Sequence, residues 1–407
     1  MGQAKGLTEP NKMKVQGGND MQNFTFWNPT KIIFGQDTIP QIGIETRQFG
    51  QKVMLVYGKG SIKRTGIYNQ ITNALQEAQL QVIEFAGAQS NPLLSHVRAG
   101  IALAKQERIE AIVAVGGGSV IDTSKAIAVG AKTDGDVWDF YLEKVTPQEA
   151  LPVLTVLTLA ATGSEMNPAS VITNAETHQK FNLRSPLLFP KVSILDPTTT
   201  YTVSKAYTAY GGVDAISHLI EGYFTHQDPW TPIQDRLVEG LVKTIMESTE
   251  RILENPQDYQ GRATMMWAAT LALNGLPVAG LGLHGFPNHM IEHSLSALYD
   301  IAHGAGISII IPGWMRYASR KSPAKFAQFA EHVFGLQGRS PEKSAEKGIA
   351  ALKAWFEKIG SPTTLAAANI PANDIAKIAE NAVMLAKKWK LNEYTQEVIA
   401  EVLRLCR

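Results

Sequence analysis

Histidines and one aspartate recur at helical spacing in the second half of this sequence. Asp214 and His218 are four residues apart in an apolar stretch that predicts a helix, so both side chains face the same way. His289 and His293 repeat that spacing, and His303 follows them. Carboxylate and neutral imidazole groups suit Zn²⁺ or Fe²⁺. We therefore expect one divalent ion, and the spacing does not decide between His289 and His293 as a ligand.

The other histidines and the single cysteine narrow this expectation. His284 lies in the same glycine-bordered segment, where it could line a pocket without touching the ion. We interpret the isolated histidines as packing or surface residues; they are His96, His178, His226 and His332. Cys406 is the only cysteine of the sequence, which excludes an internal disulfide framework and a cysteine-based zinc site.

A glycine-rich turn in the first half predicts an anion site. Gly116, Gly117 and Gly118 follow an apolar run that predicts a buried strand, and Ser119 opens a predicted helix. Glycines let a phosphate approach the backbone, and the free N–H groups of a helix start point toward it. Asp122 is expected in the first helical turn, where it could stay near the phosphate, bind a hydroxyl or cap the helix. A tight turn without a ligand is the alternative.

A second glycine turn follows an earlier predicted strand. Gly58, Gly60 and Ser61 occupy the place where a doubly wound fold makes its first phosphate or ribose contact. The third glycine of the usual dinucleotide fingerprint is absent, so a plain turn is nearly as good an interpretation.

The periodicity predicts two regions joined near residue 197. Strands are expected at 52–57, 81–85, 111–115, 152–157 and 192–195, and helices at 67–78, 93–105 and 119–131. This alternation predicts an α/β dinucleotide-binding domain with a mainly parallel sheet over 21–197. Long amphipathic stretches predict an all-helical domain over 198–407. Residues 1–20 are polar and aperiodic, and we treat them as a tag or extension before a native start at Met21.

Composition points to a small-molecule enzyme. The 407 residues are 44% hydrophobic and 18% charged, with a formal net charge of +1 and no basic block. We therefore expect neither a nucleic-acid partner nor a membrane partner. No apolar run reaches the ~18 residues of a membrane span, and no signal peptide is evident, so a cytoplasmic location is expected.

The sequence resembles a known family, the iron-containing (group III) alcohol dehydrogenases. Within that family it resembles the branch of butanol dehydrogenases and NADPH-dependent aldehyde reductases. The resemblance runs from about Met21 to the C-terminus. It is carried by FWNPTKIIFG, YGKGSIKRTG, AVGGGSVIDTSK, LTLAATGSEMN, ILDP, GGVDAISHLIEGY, MWAATLALNG and NHMIEHSLSALYDIAHG. It implies a dehydroquinate synthase-like architecture, with an α/β nucleotide domain, a helical domain, and the cofactor and metal in the cleft between them.

The resemblance also assigns roles to individual residues. It implies one Fe²⁺ or Zn²⁺ ion, and its metal ligands are Asp214, His218, His289 and His303. It places the pyrophosphate of NADP, or of NAD, on Gly116, Gly117, Gly118 and Ser119 with Asp122 nearby. It brings Thr158, Thr162 and Lys180 to the nicotinamide half. One departure is that Leu159 and Ala161 replace the Thr and Gly of many relatives, which puts the pocket floor in doubt.

The implied chemistry is hydride transfer between a nicotinamide and a small alcohol or aldehyde, with the metal as Lewis acid. His293 is our candidate for a proton relay, with a packing role as the alternative, and Glu221 could hold a ligand imidazole. Family habit suggests a homodimer or larger homo-oligomer, for which residues 24–34 could supply a shared strand.

Substrate and cofactor preference rest on two further patterns. Trp267, Leu283, Phe286 and Met290 surround the predicted metal site, so short aliphatic aldehydes should be good substrates and phosphorylated or carboxylated ones poor. Dehydroquinate synthase-like or glycerol-phosphate dehydrogenase-like activity, the alternative within this architecture, would need several cations in the cleft. A binding module without turnover is the non-enzymatic alternative.

NADPH is expected over NADH. NAD-preferring relatives carry Asp where this chain has Gly58, and residues 53–66 contain no acid. Lys59, Lys63 and Arg64 lie nearby as positive charges for a 2′-phosphate, unless they only solvate the loop.

Overall fold

The computed structural model of the chain describes residues 22–228 and 230–407. The predicted extension at 1–20 and the start at Met21 lie outside them. The strands are β1 (Lys31–Phe34), β2 (Lys52–Tyr57), β3 (Gln81–Ala86), β4 (Ala111–Gly116), β5 (Val153–Leu157), β6 (Ala169–Asn174), β7 (Gln179–Arg184) and β8 (Val192–Leu195). The helices among them are α1 (Gln41–Arg47), α2 (Ser61–Arg64), α3 (Ile67–Glu77), α4 (Leu94–Gln106), α5 (Gly118–Gly130) and α6 (Trp138–Tyr141).

The rest of the described chain is helical. Its helices are α7 (Lys205–Thr225), α8 (Pro232–Glu254), α9 (Tyr259–Ala272), α10 (Pro287–Tyr299), α11 (His303–Ser319), α12 (Pro323–Phe334), α13 (Pro341–Lys358), α14 (Ile375–Lys388) and α15 (Gln396–Arg404). Short 3₁₀ turns occur at Ser164–Met166, Pro186–Leu188, Pro197–Thr200, Leu276–Val278, Ala366–Ala368 and Ala372–Asp374. The expected change from α/β to all-helical structure is confirmed. The division into two domains near 197 stays a prediction.

Six of the described strands form one parallel sheet in the order β1-β8-β5-β4-β2-β3. The expected parallel sheet and its crossover helices are confirmed. β1 lies at the end of residues 24–34, where the sequence analysis suggested a strand shared with a second copy, and here it pairs with β8 of the same chain. The antiparallel hairpin of β6 and β7 was not predicted. β1 has only four residues, and no continuous apolar run marks the hairpin, whose β7 reads QKFNLR.

The central strands β2, β4, β5 and β8 are buried on both faces and are apolar at successive positions, whereas the edge strands β1 and β3 are partly exposed. Val53 and Leu55 pack with α1 and α3 on one face. Met54 and Val56 belong to a second core on the other face, which continues into the helical half. Parallel sheets covered on both faces read as continuous apolar runs, which made these strands visible in the sequence.

Helix α7 organises the helical half. It is buried along most of its length and contacts α8, α9, α10 and α11. Helix α10 is also buried over nearly its whole length, between α7, α11, α14 and the β7 strand. The faces of α7 and α10 and the first residue of α11 therefore meet beside the β6–β7 hairpin.

Candidate active site

Four side chains from three helices meet around one carboxylate oxygen. Asp214 and His218 come from α7, His289 comes from α10, and His303 begins α11. The Nε2 atoms of His303, His218 and His289 lie 3.4, 3.7 and 4.0 Å from Asp214 Oδ1. One ligand atom from each of Asp214, His289 and His303 lies within 4.8 Å of the other two. The His218 ring stacks on that of His289 at 4.8 Å.

The donor set fits a divalent cation. Asp214 Oδ1 and His289 Nε2 are buried and have no hydrogen-bond partner among the described residues. Burial lowers the pKa of the His218 imidazole to about 3, so this ring is neutral near pH 7 and keeps a lone pair for a metal. Buried polar atoms without partners are costly, and a cation between these groups would satisfy them.

Two buried glutamates contact the Nδ1 atoms of His289 and His303. Glu221 Oε1 lies 3.0 Å from His289 Nδ1 and also accepts from the His289 backbone N–H at 2.9 Å. Glu292 Oε2 contacts His303 Nδ1. Carboxylates in these positions place the proton on Nδ1 and leave Nε2, which faces Asp214 Oδ1, unprotonated. The contact suggested for Glu221 is confirmed, whereas Glu292 was missed. A charged residue in the buried run of α10 was the available signal.

The charge on Glu292 is sustained by its neighbours. Burial alone would raise the pKa of its carboxyl, but His303 and Lys180 hold that pKa well below its usual range. The Lys180 ammonium lies 3.7 Å from Glu292 Oε2 and donates to Asn91 Oδ1 at 3.2 Å. Lys180 is buried and lines the cleft.

His293 sits one turn beyond His289 and is held differently. Its Nδ1–H donates to the Lys180 carbonyl at 3.0 Å, and its ring packs edge-on against Trp389. Burial and the facing Lys180 keep its pKa well below the ordinary value for histidine, so the ring is neutral. His284 also lines the cleft, at a more exposed place.

The glycine turn after β4 forms the opposite wall of the cleft. Gly118 and Ser119 line it and begin α5, which has no side-chain cap, so their N–H groups stay free of intrahelical partners. A Cβ on Gly118 would lie 2.2 Å from Thr162 Oγ1, so glycine is required there by packing as well. Thr162 lines the cleft, whereas Thr158 follows β5 and donates its N–H to Gly116 O.

Asp122 differs from its expected place. Because α5 begins at Gly118 rather than Ser119, Asp122 lies beyond the first turn and does not cap the helix. Its Oδ1 accepts from Ser164 Oγ at 2.6 Å and its Oδ2 from the Val171 N–H at 3.0 Å. Although Asp122 lines the cleft, its two oxygens already connect α5 to the loop after β5 and to strand β6.

A buried lysine of α5 that the sequence analysis did not single out also binds the loop after β5. The Lys125 ammonium is fully buried and donates to the carbonyls of Ser164, Asn167 and Ala169 at 2.7–2.8 Å. It also reaches Ser164 Oγ at 2.9 Å. Lys125 therefore shapes the loop that lines the cleft opposite the candidate metal ligands.

The second glycine turn lies beside the first at the carboxyl edge of the sheet. Tyr57 pairs with Val115, which brings Gly58 next to Gly116. Gly60 has a φ of 109°, the left-handed region that favours glycine, and begins the short helix containing Ser61.

The second glycine turn is not surrounded by positive charge alone, as the sequence analysis expected. Glu84, on the neighbouring strand β3, accepts hydrogen bonds from Tyr57 and Tyr68 at 2.6 Å and lies 3.4 Å from Lys63. The hydrogen bonds from Tyr57 and Tyr68 keep the pKa of Glu84 low, so it is ionised. An acid thus lies next to a segment that contains none of its own, and it offsets Lys63.

The apolar residues expected around the metal are mostly elsewhere. Only Phe286 of that group lines the cleft. Met290 is buried in the core, Leu283 is 87% exposed, and Trp267 packs against Phe34. The inference was wrong for these three because nearness in sequence does not fix the direction of a side chain. The cleft wall is instead formed by Leu273, Phe286, Trp389, Leu391, Ala169 and Val171, together with Asn182 and Arg184.

Within the residues that the structure describes, no helix combines the length and apolar character needed to cross a membrane.

Two family models and several known proteins match this chain. The family model described as iron-containing alcohol dehydrogenase matches residues 29–197, and the model for the C-terminal part of the same family matches residues 208–407. A probable NADH-dependent butanol dehydrogenase of Bacillus subtilis is 45% identical over 94% of this chain and 99% of its own. The NADPH-dependent aldehyde reductase YqhD of Escherichia coli is 35% identical over 85% of this chain and 89% of its own.

A solved structure extends the likeness to the whole fold. The crystal structure of NADH-dependent butanol dehydrogenase A from Thermotoga maritima superposes with a TM-score of 0.91 at 46% identity, covering 95% of this chain and 99% of that one. The chain belongs to the iron-containing alcohol dehydrogenase family.

Proposed function

We propose that this enzyme reduces short-chain aldehydes to primary alcohols, and oxidises the alcohols in reverse, with NADPH and one divalent ion held by Asp214, His218, His289 and His303. The observation that carries the proposal is the convergence of these four side chains, with unpartnered buried Asp214 Oδ1 and His289 Nε2, on the cleft that the α5 start also faces. A divalent ion supplies Lewis acidity toward the carbonyl oxygen, and the reduced nicotinamide supplies hydride.

The protein contributes first by orienting the imidazoles of two candidate metal ligands. Glu221 and Glu292 fix the Nδ1–H form of His289 and His303, so both Nε2 lone pairs are directed toward Asp214 without reorganisation when the ion binds. The free N–H groups at Gly118 and Ser119 bind the cofactor pyrophosphate. Thr162 and Lys180 line the cleft between these two regions and contact the nicotinamide half.

His293 serves as the proton relay. The Lys180 carbonyl accepts a hydrogen bond from His293 Nδ1–H, so Nε2 is the unprotonated nitrogen of the neutral ring. We assign to Nε2 the transfer of a proton between the substrate oxygen and solvent.

NADPH is the proposed cofactor. Gly58 places no side chain in this turn, and a Cβ there would meet only Ala88 O at 3.5 Å. Lys59 and Arg64 have no carboxylate within salt-bridge distance among the described residues, whereas Lys63 is offset by Glu84. The proposal therefore depends on Lys59, Arg64 and the absence of an acid at Gly58, and less on Lys63 than the sequence suggested.

Self-association through β1 is proposed as well. β1 is an edge strand of the sheet and pairs with β8 on one side. Around it, Phe24, Phe26, Trp27 and Phe34 are large apolar side chains that are 41–62% exposed. An edge strand beside exposed aromatic residues favours pairing with a second copy.

The deciding experiment measures aldehyde-dependent NADPH oxidation by metal-loaded and chelator-stripped enzyme, with metal analysis of each sample. We expect turnover of short aldehydes only with one ion bound per chain. Metal-independent turnover would contradict the site, and a highest kcat/KM on a phosphorylated ketone would move the enzyme to the glycerol-phosphate dehydrogenase-like class.

A further inference from the structure

Trp389 brings an indole close to the candidate metal ligands. It follows the last residue of α14 and lines the cleft. Its ring packs edge-on against His293, with 5.5 Å between the ring centres. The His293 ring in turn lies 5.8 Å from the His303 ring and 6.5 Å from the His289 ring, centre to centre. Only one ring therefore separates the indole from the groups that would hold the ion.

The indole is fixed in this place by hydrogen bonds to the β6–β7 hairpin. Trp389 Nε1–H donates to Asn182 Oδ1 at 2.7 Å, and Asn182 lines the cleft from β7. Two turns earlier on α14, the Asn381 amide donates to the His178 carbonyl at 2.9 Å, in the turn of the hairpin. These contacts attach the end of α14 to the hairpin at two points, so the indole forms a wall that resists displacement.

Apolar side chains complete this end of the cleft. Leu391 follows Trp389 by two residues, and a Cβ on Gly285 would lie 2.6 Å from Leu391 Cδ2, so the two segments are in close contact. Phe286 packs edge-on against His289, with 5.6 Å between the ring centres. In the proposed function the cofactor lies along the start of α5 and the loop after β5. The apolar end is therefore left for the carbon chain of the substrate.

A six-carbon aldehyde bound at the ion reaches this indole. The ring spacings of 5.5 and 5.8 Å place the centres of Trp389 and His303 less than twice 5.8 Å apart. An extended carbon chain advances about 1.2 Å per bond, so the carbon chain of hexanal spans about 6 Å. Its last methyl contacts a neighbouring carbon about 4 Å further on. With its oxygen at the ion, hexanal therefore extends to the indole, and a longer chain on this path collides with it.

We propose that Trp389, held by Asn182, limits the length of the substrate's carbon chain, so that the enzyme selects short aldehydes by excluding longer ones. This inference rests on the proposed function and names the side chain responsible for its short-chain preference. Exclusion by a fixed wall discriminates strongly, because an overlong chain either displaces packed side chains or leaves its methylenes in water.

The test compares kcat/KM for butanal, hexanal and octanal on the metal-loaded holoenzyme with saturating NADPH. The variants are Trp389→Ala, Trp389→Phe and Asn182→Leu, which removes the acceptor of the indole N–H. The control is Trp230→Ala, whose indole is 74% exposed and does not line the cleft.

We expect kcat/KM of the wild type to fall from hexanal to octanal. Trp389→Ala should raise the octanal-to-butanal ratio of kcat/KM at least tenfold, because each further buried methylene contributes about fourfold. Trp389→Phe and Asn182→Leu should raise the ratio less, since the first keeps a smaller ring and the second only releases the indole. Trp230→Ala should leave the ratio within about twofold of the wild type.

Equal changes for all three aldehydes in Trp389→Ala, or a wild type that already favours octanal, would overturn the inference. If Trp389→Ala does not fold, Trp389→Phe carries the same comparison. If the wild type reduces none of the aldehydes, the proposed function fails, and calorimetric binding of butanamide and hexanamide replaces the kinetic test. A higher hexanamide-to-butanamide affinity ratio in the variant than in the wild type then supports the wall. An unchanged ratio, or no binding of either amide, overturns it.

Discussion

Replacing Glu292 with Gln tests whether the outer carboxylates set metal affinity. Glu292 is fully buried, and its two oxygens face Ser296 Oγ and His303 Nδ1. Gln keeps the shape, and its carbonyl can still accept from His303 while the Ser296 hydroxyl turns to accept from the new amide. The substitution therefore removes one negative charge and little else at this position.

The expected loss follows from these contacts. A hydrogen bond to a charged group contributes about 1.5–3 kcal/mol, against about 0.5–1.5 kcal/mol for a neutral pair. Losing roughly 1–1.5 kcal/mol of support for His303 weakens metal binding about tenfold, at the low end of what outer carboxylates contribute elsewhere. Lys180 also loses its carboxylate neighbour, so the free energy of unfolding of the metal-free protein should fall as well.

The assay is competition for Zn²⁺ against a chelator of known affinity, followed by urea unfolding of the metal-free proteins. The control is Glu239→Gln, because Glu239 is buried on α8 and holds His332 Nδ1 at 2.9 Å without lining the cleft. We expect both variants to lose stability and only Glu292→Gln to lose metal affinity. Unchanged affinity in Glu292→Gln, or equal loss in both variants, would refute the reasoning.

Three further predictions concern the ligands, the cofactor and the loop. His218→Ala and His303→Ala should remain folded by circular dichroism but lose bound metal and activity, and a metal-free variant with wild-type turnover would rule out the assignment. Gly58→Asp should lower kcat/KM for NADPH selectively, by a factor equivalent to roughly 1–3 kcal/mol, mainly through a higher KM. An unchanged ratio of kcat/KM for NADPH to kcat/KM for NADH would contradict the proposed cofactor. Lys125→Met removes the donor shared by Ser164 and its neighbours, so urea unfolding should show a loss of about 3 kcal/mol or more, and a loss below 1 kcal/mol would contradict its role.

The sequence by itself determined the parallel strands, the helices between them and the direction of each side chain on its own helix or strand. Continuous apolar runs gave the parallel strands, because both faces of the sheet are covered. Four-residue spacing placed Asp214 and His218 on one face of α7, because helical geometry brings every fourth residue to the same side. Glycines after β4 marked the start of α5 at the cleft.

Only the tertiary structure decided which of these faces meet and what surrounds them. Glu221 lies 68 residues from His289, and Glu84 lies 21 residues from Lys63, so neither contact follows from a local pattern. Met290 neighbours His289 in sequence yet points into the core, because adjacent helical residues lie about 100° apart around the axis. Arg184 lies in the hairpin of β6 and β7, which no continuous apolar run predicted. Periodicity fixes a side chain's direction on its own element, whereas packing between elements decides its partners.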